Sequence, residues 1–196
     1  EKSYHLSYPH VFQYEGEHYM IPESAENKTI DLYRCTRFPE RWEFVKSLMS
    51  DVEAYDATLH FYDERWWMFV NMREHEGGSP NDLLYLYSAE SPLSDHWESH
   101  PCNPIVTHVS SARSAGNIIH LGGKLYRPSQ NCAGSYGRGL NLNQVVEWNR
   151  EQYKERTLRQ YIPNGKSKLK GMHTFSVVGD KILSDGIYGQ RRWARE

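Results

Sequence analysis

A strand–turn–strand phrase recurs four times along this chain, and that internal repeat limits the fold more than any composition figure does. Ser7-Tyr8-Pro9-His10-Val11-Phe12 leads through Glu15-Gly16-Glu17 into His18-Tyr19-Met20-Ile21-Pro22-Glu23. Asp56-Ala57-Thr58-Leu59-His60-Phe61 leads through Asp63-Glu64-Arg65 into Trp66-Trp67-Met68-Phe69-Val70-Asn71. Ser114-Ala115-Gly116-Asn117-Ile118-Ile119 leads through Gly122-Gly123-Lys124 into Leu125-Tyr126-Arg127-Pro128-Ser129-Gln130. A weaker copy runs from Met172-His173-Thr174-Phe175 through Gly179-Asp180-Lys181 to Ile182-Leu183-Ser184-Asp185. Each copy reads as two short strands joined by a tight polar turn.

The outer parts repeat as well. Asp31-Leu32-Tyr33-Arg34-Cys35 precedes Phe38-Pro39 and Trp42-Glu43, while Leu84-Tyr85-Leu86-Tyr87-Ser88 precedes Ser91-Pro92-Leu93 and Trp97-Glu98. A third strand, a Pro-bearing turn and a fourth strand complete a four-stranded unit. The copies recur every roughly 50 to 60 residues, the spacing of β-propeller blades. No 3.6-residue apolar period competes with this reading beyond short stretches; 143–157 can be read as a helix or as the outer strands of the third blade, and strands are preferred. The expectation is an all-β chain, residues 1–196 forming one partial propeller with blades starting near Ser7, Asp56, Ser114 and Met172. About three blades and part of a fourth leave open sheet edges, so a further blade from a longer protein or a second copy is expected to cover them.

Composition narrows the function classes. The net charge of −2 carries no basic footprint for nucleic acid. Fourteen Tyr, six Trp and six Phe suit half-buried strands and an aromatic-lined groove. Cys35, Cys102 and Cys132 form neither a CxxC pair nor a zinc spacing, and an odd count fits a reducing compartment. The first ten residues lack a signal-peptide pattern and no apolar run is long enough to span a bilayer, so a soluble, cytoplasmic setting is expected. The ten histidines show no paired helical spacing, and 134–139 lacks the Lys-Ser/Thr ending of a phosphate loop; no metal and no cofactor are expected.

The phrases His5-Leu6-Ser7-Tyr8-Pro9, Tyr19-Met20-Ile21-Pro22-Glu23, Asp56-Ala57-Thr58, Ser111-Ala112-Arg113 and Tyr126-Arg127-Pro128 resemble the propeller domain of the glucosamine inositolphosphorylceramide transferase type. That resemblance extends from His5 to Tyr188. It implies kinship with five-bladed glycoside hydrolases of families 43 and 32, and a blade preceding the one at Ser7. Family 43 enzymes draw a base Asp, a helper Asp and an acid Glu from three successive inner strands. Asp56 matches the helper, but Ser7 and Ser114 stand where the resemblance calls for Asp and Glu, and Asn131 stands where it calls for Asp.

In such hairpins the first strand starts, and the second finishes, at one end of the axis. Asp56 and Glu23 are therefore the candidate catalytic carboxyls, with Arg113, Arg127, Gln130, Asn71, His173 and Asp185 as candidate sugar-binding residues. Each has a structural alternative. Glu23 can cap its loop through Ser24 and Asn27, Asp56 can bind backbone amides, the two arginines can bridge blades, and His173 can simply pack. Two functions stay open: a glycosidase-like propeller that binds or hydrolyses a glycan, and a non-catalytic sugar-binding or scaffolding module attached to a glycosyltransferase. A WD-type interaction propeller lacks its Gly-His and Trp-Asp signatures here.

Overall fold

The computed structural model describes residues 2–164 and 168–189. Apart from one 3-10 turn at Ala25–Asn27, the described residues form strands joined by turns and irregular loops. The first sheet runs in chain order through β1 (Ser7–Tyr14), β2 (Glu17–Ser24), β3 (Thr29–Arg37) and β4 (Arg41–Ser50). The second contains β5 (Ala54–Tyr62), β6 (Arg65–Met72), β7 (Leu84–Ala89) and β8 (Glu98–Ser99). The third contains β9 (Ile119–Leu121), β10 (Lys124–Asn131), β11 (Gly139–Trp148) and β12 (Tyr153–Tyr161). Then come β13 (Leu169–Gly171), the hairpin of β14 (Phe175–Val178) with β15 (Lys181–Ser184), and β16 (Ile187–Tyr188), which pairs with β13. These are three antiparallel blades and part of a fourth, with the small β13–β16 ladder absent from the sequence reading.

The turns explain themselves locally. Glu15 and Gly16, Asp63 and Glu64, and Gly122 and Gly123 all have positive φ, between 50° and 82°. Two consecutive left-handed residues give the type I′ geometry whose twist matches a two-residue hairpin. Polar residues and glycine are the ones that tolerate it, and the fourth expected turn, at Gly179 and Asp180, also forms, joining β14 to β15.

Burial shows why β6 reads as an almost unbroken apolar run. Met68, Val70 and Met72 enter a core with Ile21, Leu32 and Leu59, between the first and second blades. Trp67 and Phe69, on the opposite face by strand alternation, enter a second core with Trp148, Tyr153 and Ile118, between the second and third blades. The middle blade is thus apolar on both faces. Near the axis, buried His10 joins neighbouring segments: its Nε2 accepts the Leu59 N–H at 3.1 Å, and its Nδ1 lies 3.0 Å from Asn117 Oδ1. Those partners fix the tautomer, with the proton on Nδ1. Gly116, at φ 151°, lets β14 approach, because a Cβ there would lie 2.0 Å from the Phe175 carbonyl oxygen.

Candidate functional site

Asp56 takes its place through a fault in the ladder. The β5–β6 register shifts between Tyr55 and Thr58, and Asp56 sits in this bulge at φ 52°. A bulge adds an unpaired residue and re-aims its side chain, and Asp is among the few residues that accept this conformation. The first blade repeats the device: β1 shifts between Ser7 and His10, with Tyr8 at φ 43°. Glu23 arrives on β2 directly opposite Ser7.

Arg113, from the segment between β8 and β9, bridges the two carboxyls from one edge of its guanidinium. Its Nε donates to Asp56 Oδ2 at 2.6 Å and its Nη2 to Glu23 Oε2 at 3.2 Å. Nη1 reaches the Pro80 carbonyl at 3.3 Å and Asn81 Oδ1 at 3.4 Å. Gln130 Nε2 donates to the Ser114 carbonyl at 2.9 Å and, more weakly, to Asp56 Oδ2 at 3.4 Å. Asp56 is 3% and Arg113 5% exposed, so this ion pair lies away from bulk water. Glu23 is pushed up to about 7, first by burial and then by the charge and hydrogen bond of Asp56, against the pull of Arg113 and Ser7. Near neutral pH the cluster therefore exchanges a proton readily. A cleft of about 330 Å³ opens beside Glu23, lined also by Tyr55, Glu53, Arg73 and Lys28.

The expected residues divide into groups. Glu23, Asp56, Arg113 and Gln130 meet. Fully buried Asn71 lies behind them: its Oδ1 accepts the Ser114 N–H at 3.0 Å and its Nδ2 donates to the Leu83 carbonyl at 2.8 Å. It therefore holds Ser114 beside Gln130. Arg127 is turned elsewhere. At 1% exposure, its Nε and Nη2 donate to the Glu155 carboxylate at 2.8 and 2.6 Å, and Nη2 also reaches the Ser111 carbonyl at 2.6 Å. The cause is parity, since Arg127 and Gln130 are three residues apart on β10 and project from opposite faces. For Arg127 the structural alternative, a buried ion pair, describes what its guanidinium does. For Glu23 the capping alternative does not: Ser24 Oγ donates to the Thr29 carbonyl and Asn27 to Thr29 Oγ1.

His173 and Asp185 pair with each other on the fourth-blade hairpin, Nδ1 to Oδ2 at 2.5 Å. Burial would raise the Asp185 carboxyl, but the N–H groups of His173 and Thr174 outweigh it and hold the group below its ordinary value. The pair reaches the cluster through a residue the repeat does not contain. The Tyr136 ring lies 5.6 Å from the His173 ring and 5.7 Å from the Arg113 guanidinium. Tyr55 approaches the same guanidinium at 5.0 Å. Two tyrosines thus flank Arg113, and Tyr136 is 52% exposed. Its position in a glycine-rich loop was the available signal. No cluster of three or more metal-ligating side chains occurs among the described residues, nor any helix long and apolar enough to cross a membrane.

Comparison with known proteins places this architecture. An exo-beta-1,3-galactanase from Phanerochaete chrysosporium, solved with beta-1,3-galactotriose, superposes with a TM-score of 0.66 at 8% identity, over 96% of this chain and 45% of the other. A thermostable family-43 glycoside hydrolase gives 0.61 at 15% identity, over 81% of this chain and 54% of the other. At these identities the likeness concerns the propeller fold alone. In sequence, glucosamine inositolphosphorylceramide transferase 1 of Oryza sativa subsp. japonica is 36% identical over 95% of this chain, and that of Arabidopsis thaliana 32% over 96%. The chain spans 25% of the length of these relatives. The family model described as glucosamine inositolphosphorylceramide transferase 1, N-terminal, matches residues 1–181, and the chain belongs to that family.

Proposed function

We propose that this propeller domain binds a glycan or a sugar-sized polyol at the cluster of Glu23, Asp56, Arg113 and Gln130, without hydrolysing it, as a recognition module of a glycosyltransferase. One observation carries the reading: a single buried guanidinium donates to both carboxyls, at 2.6 and 3.2 Å. Glycoside hydrolysis needs two carboxyls about 5–10 Å apart with the scissile bond between them. Here both carboxyls lie side by side on one edge of the Arg113 guanidinium and hydrogen-bond to each other, which leaves no room for a glycosidic bond between them. Neutralised carboxyls, an amide and two tyrosine rings suit the hydroxyls and C–H faces of a sugar. The names of the relatives, which carry glucosamine and inositol, supply the ligand classes to try first.

The hydrolytic reading retains one point in its favour. Glu23 at about 7 has the proton affinity of a general acid. Calorimetry and NMR titration with glucosamine, N-acetylglucosamine, inositol, galactose, xylose and arabinose, run beside aryl-glycoside hydrolysis assays, separate the two. Expected are saturable shifts at Tyr136 and Gln130 for at least one ring, their loss in Gln130→Ala, and no product release. Turnover that disappears in Asp56→Asn and Glu23→Gln while binding persists would restore the hydrolase.

A further inference from the structure

On the first blade, away from the carboxylate cluster, three aromatic rings surround a cation. Ile30 and Leu32 of β3 enter the core shared with the second blade, so strand alternation turns Asp31 and Tyr33 to the opposite face. Phe44 is the cross-strand partner of Tyr33, and their rings meet edge to face with centroids 5.7 Å apart. Tyr4 supplies the third ring, fixed where its hydroxyl donates to Asp31 Oδ2 at 3.0 Å. Ser47 Oγ donates to Asp31 Oδ1 at 2.8 Å, so both carboxylate oxygens are anchored. Lys2 Nζ stands over all three rings, 5.1 Å from the centroid of Phe44, 5.7 Å from Tyr33 and 5.8 Å from Tyr4. Asp31 and Tyr33 are buried beneath the segment before β1, while Phe44 and Lys2 remain open to solvent.

We infer that Tyr4, Tyr33 and Phe44 form a cage for a quaternary ammonium group of the choline type, a place that Lys2 fills when no such group is bound. Cations held over ring faces are attracted by the ring quadrupole, and three rings around one nitrogen make that attraction additive in direction. The spacing selects a methylated nitrogen. A C–N bond of about 1.45 Å and a carbon contact of about 3.5–4.0 Å put such a nitrogen about 5–5.5 Å from each ring, close to the three distances here. A bare ammonium has no methyl layer to fill that gap, so Lys2 is a loose occupant. The Asp31 carboxylate, in contact with the Tyr4 hydroxyl, adds negative charge at the cage wall.

Calorimetric titration with choline tests this. Lys2→Ala should bind it about tenfold more tightly than the parent, as when Lys2 fills the cage in about nine molecules of ten. The cage survives that change, because Tyr4 stays tied to Asp31 and the His5 N–H to Glu26 Oε2 at 2.7 Å. Adding Phe44→Ala should cost about tenfold or more, and since Phe44 is half-exposed its loss does not endanger folding. Phe38→Ala, an exposed ring in the loop between β3 and β4, should change nothing. The neutral isostere 3,3-dimethylbutanol should bind Lys2→Ala at least about tenfold more weakly than choline, as a cation–π site requires. Phosphatidylcholine vesicles, tried beside free choline, distinguish a lipid headgroup from the free compound, and binding of either supports the cage. Equal affinity in parent and Lys2→Ala, equal binding of the isostere, indifference to Phe44→Ala, or binding of neither choline nor vesicles by Lys2→Ala would each overturn the inference.

Discussion

Replacing Arg113 by Met removes the one cation shared by Glu23 and Asp56 while keeping a long apolar stem in its place. Asp56 then loses the donor at 2.6 Å and keeps the long contact from Gln130 at 3.4 Å and its hydrogen bond with Glu23, inside a site where it is 3% exposed. Orphaning one member of a buried ion pair costs about 3–5 kcal/mol. Glu23 loses the group that holds its proton affinity down, so its titration moves upward from about 7. The expected result in urea unfolding at pH 7.5 is a loss of about 3 kcal/mol or more, with an unchanged denaturant slope. At pH 5 the loss should shrink, because the variant can neutralise its orphaned carboxyls by binding protons. Adding Asp56→Asn and Glu23→Gln should recover most of the stability at pH 7.5, since a neutral cluster needs no guanidinium. A single-variant loss below about 1 kcal/mol would refute the account of Arg113 as the electrostatic centre of the site.

Two further predictions rest on the same kind of reasoning. His10 is lowered to about 4 in the folded chain by burial, against the hydrogen bond it donates to Asn117 Oδ1, from its ordinary 6.5. Neutral His10 therefore contributes stability fully present above pH 6.5 and lost as pH falls towards 4, about 3 kcal/mol in all; denaturant titrations should show a pH dependence steeper by that amount in the parent than in His10→Gln, which keeps the contribution of His60. Arg127→Met should cost about 3–5 kcal/mol by orphaning Glu155, yet leave sugar binding intact in the protein that remains folded, as followed by urea unfolding and calorimetry.

How much of this was legible in the residues depended on whether the signal was local. Glu23, Asp56 and Gln130 sit at hairpin ends that the repeat marks directly, and Arg113 immediately precedes a repeat boundary. Arg127 also lies inside a repeat, but three residues from Gln130, so strand alternation alone could have removed it from the site. Asn71 stands at a hairpin end of the repeat, but its contacts support the backbone of Ser114 and Leu83. Tyr136 belongs to the loop between β10 and β11, and Tyr55 lies one residue before its repeat. Neither had a counterpart from which a role could be read. The bulges that aim Tyr8 and Asp56 were hidden because positive φ at a non-glycine residue follows from pairing with the neighbouring strand. The two-sided core of the middle blade was present in Trp66-Trp67-Met68-Phe69-Val70, but only the neighbouring blades show which face each residue serves.

We propose Arg113 and its two carboxyls as a binding site and not as a pair of catalytic groups. A crystal structure of the domain soaked with the best-binding ring from the titrations tests it most directly. The expected result is a ring seated at the cleft beside Glu23 and against Tyr55 or Tyr136, intact after prolonged soaking, with Arg113 still joining Asp56 to Glu23. A ligand bound elsewhere, or a disaccharide found cleaved between carboxyls that have parted from Arg113, would contradict it.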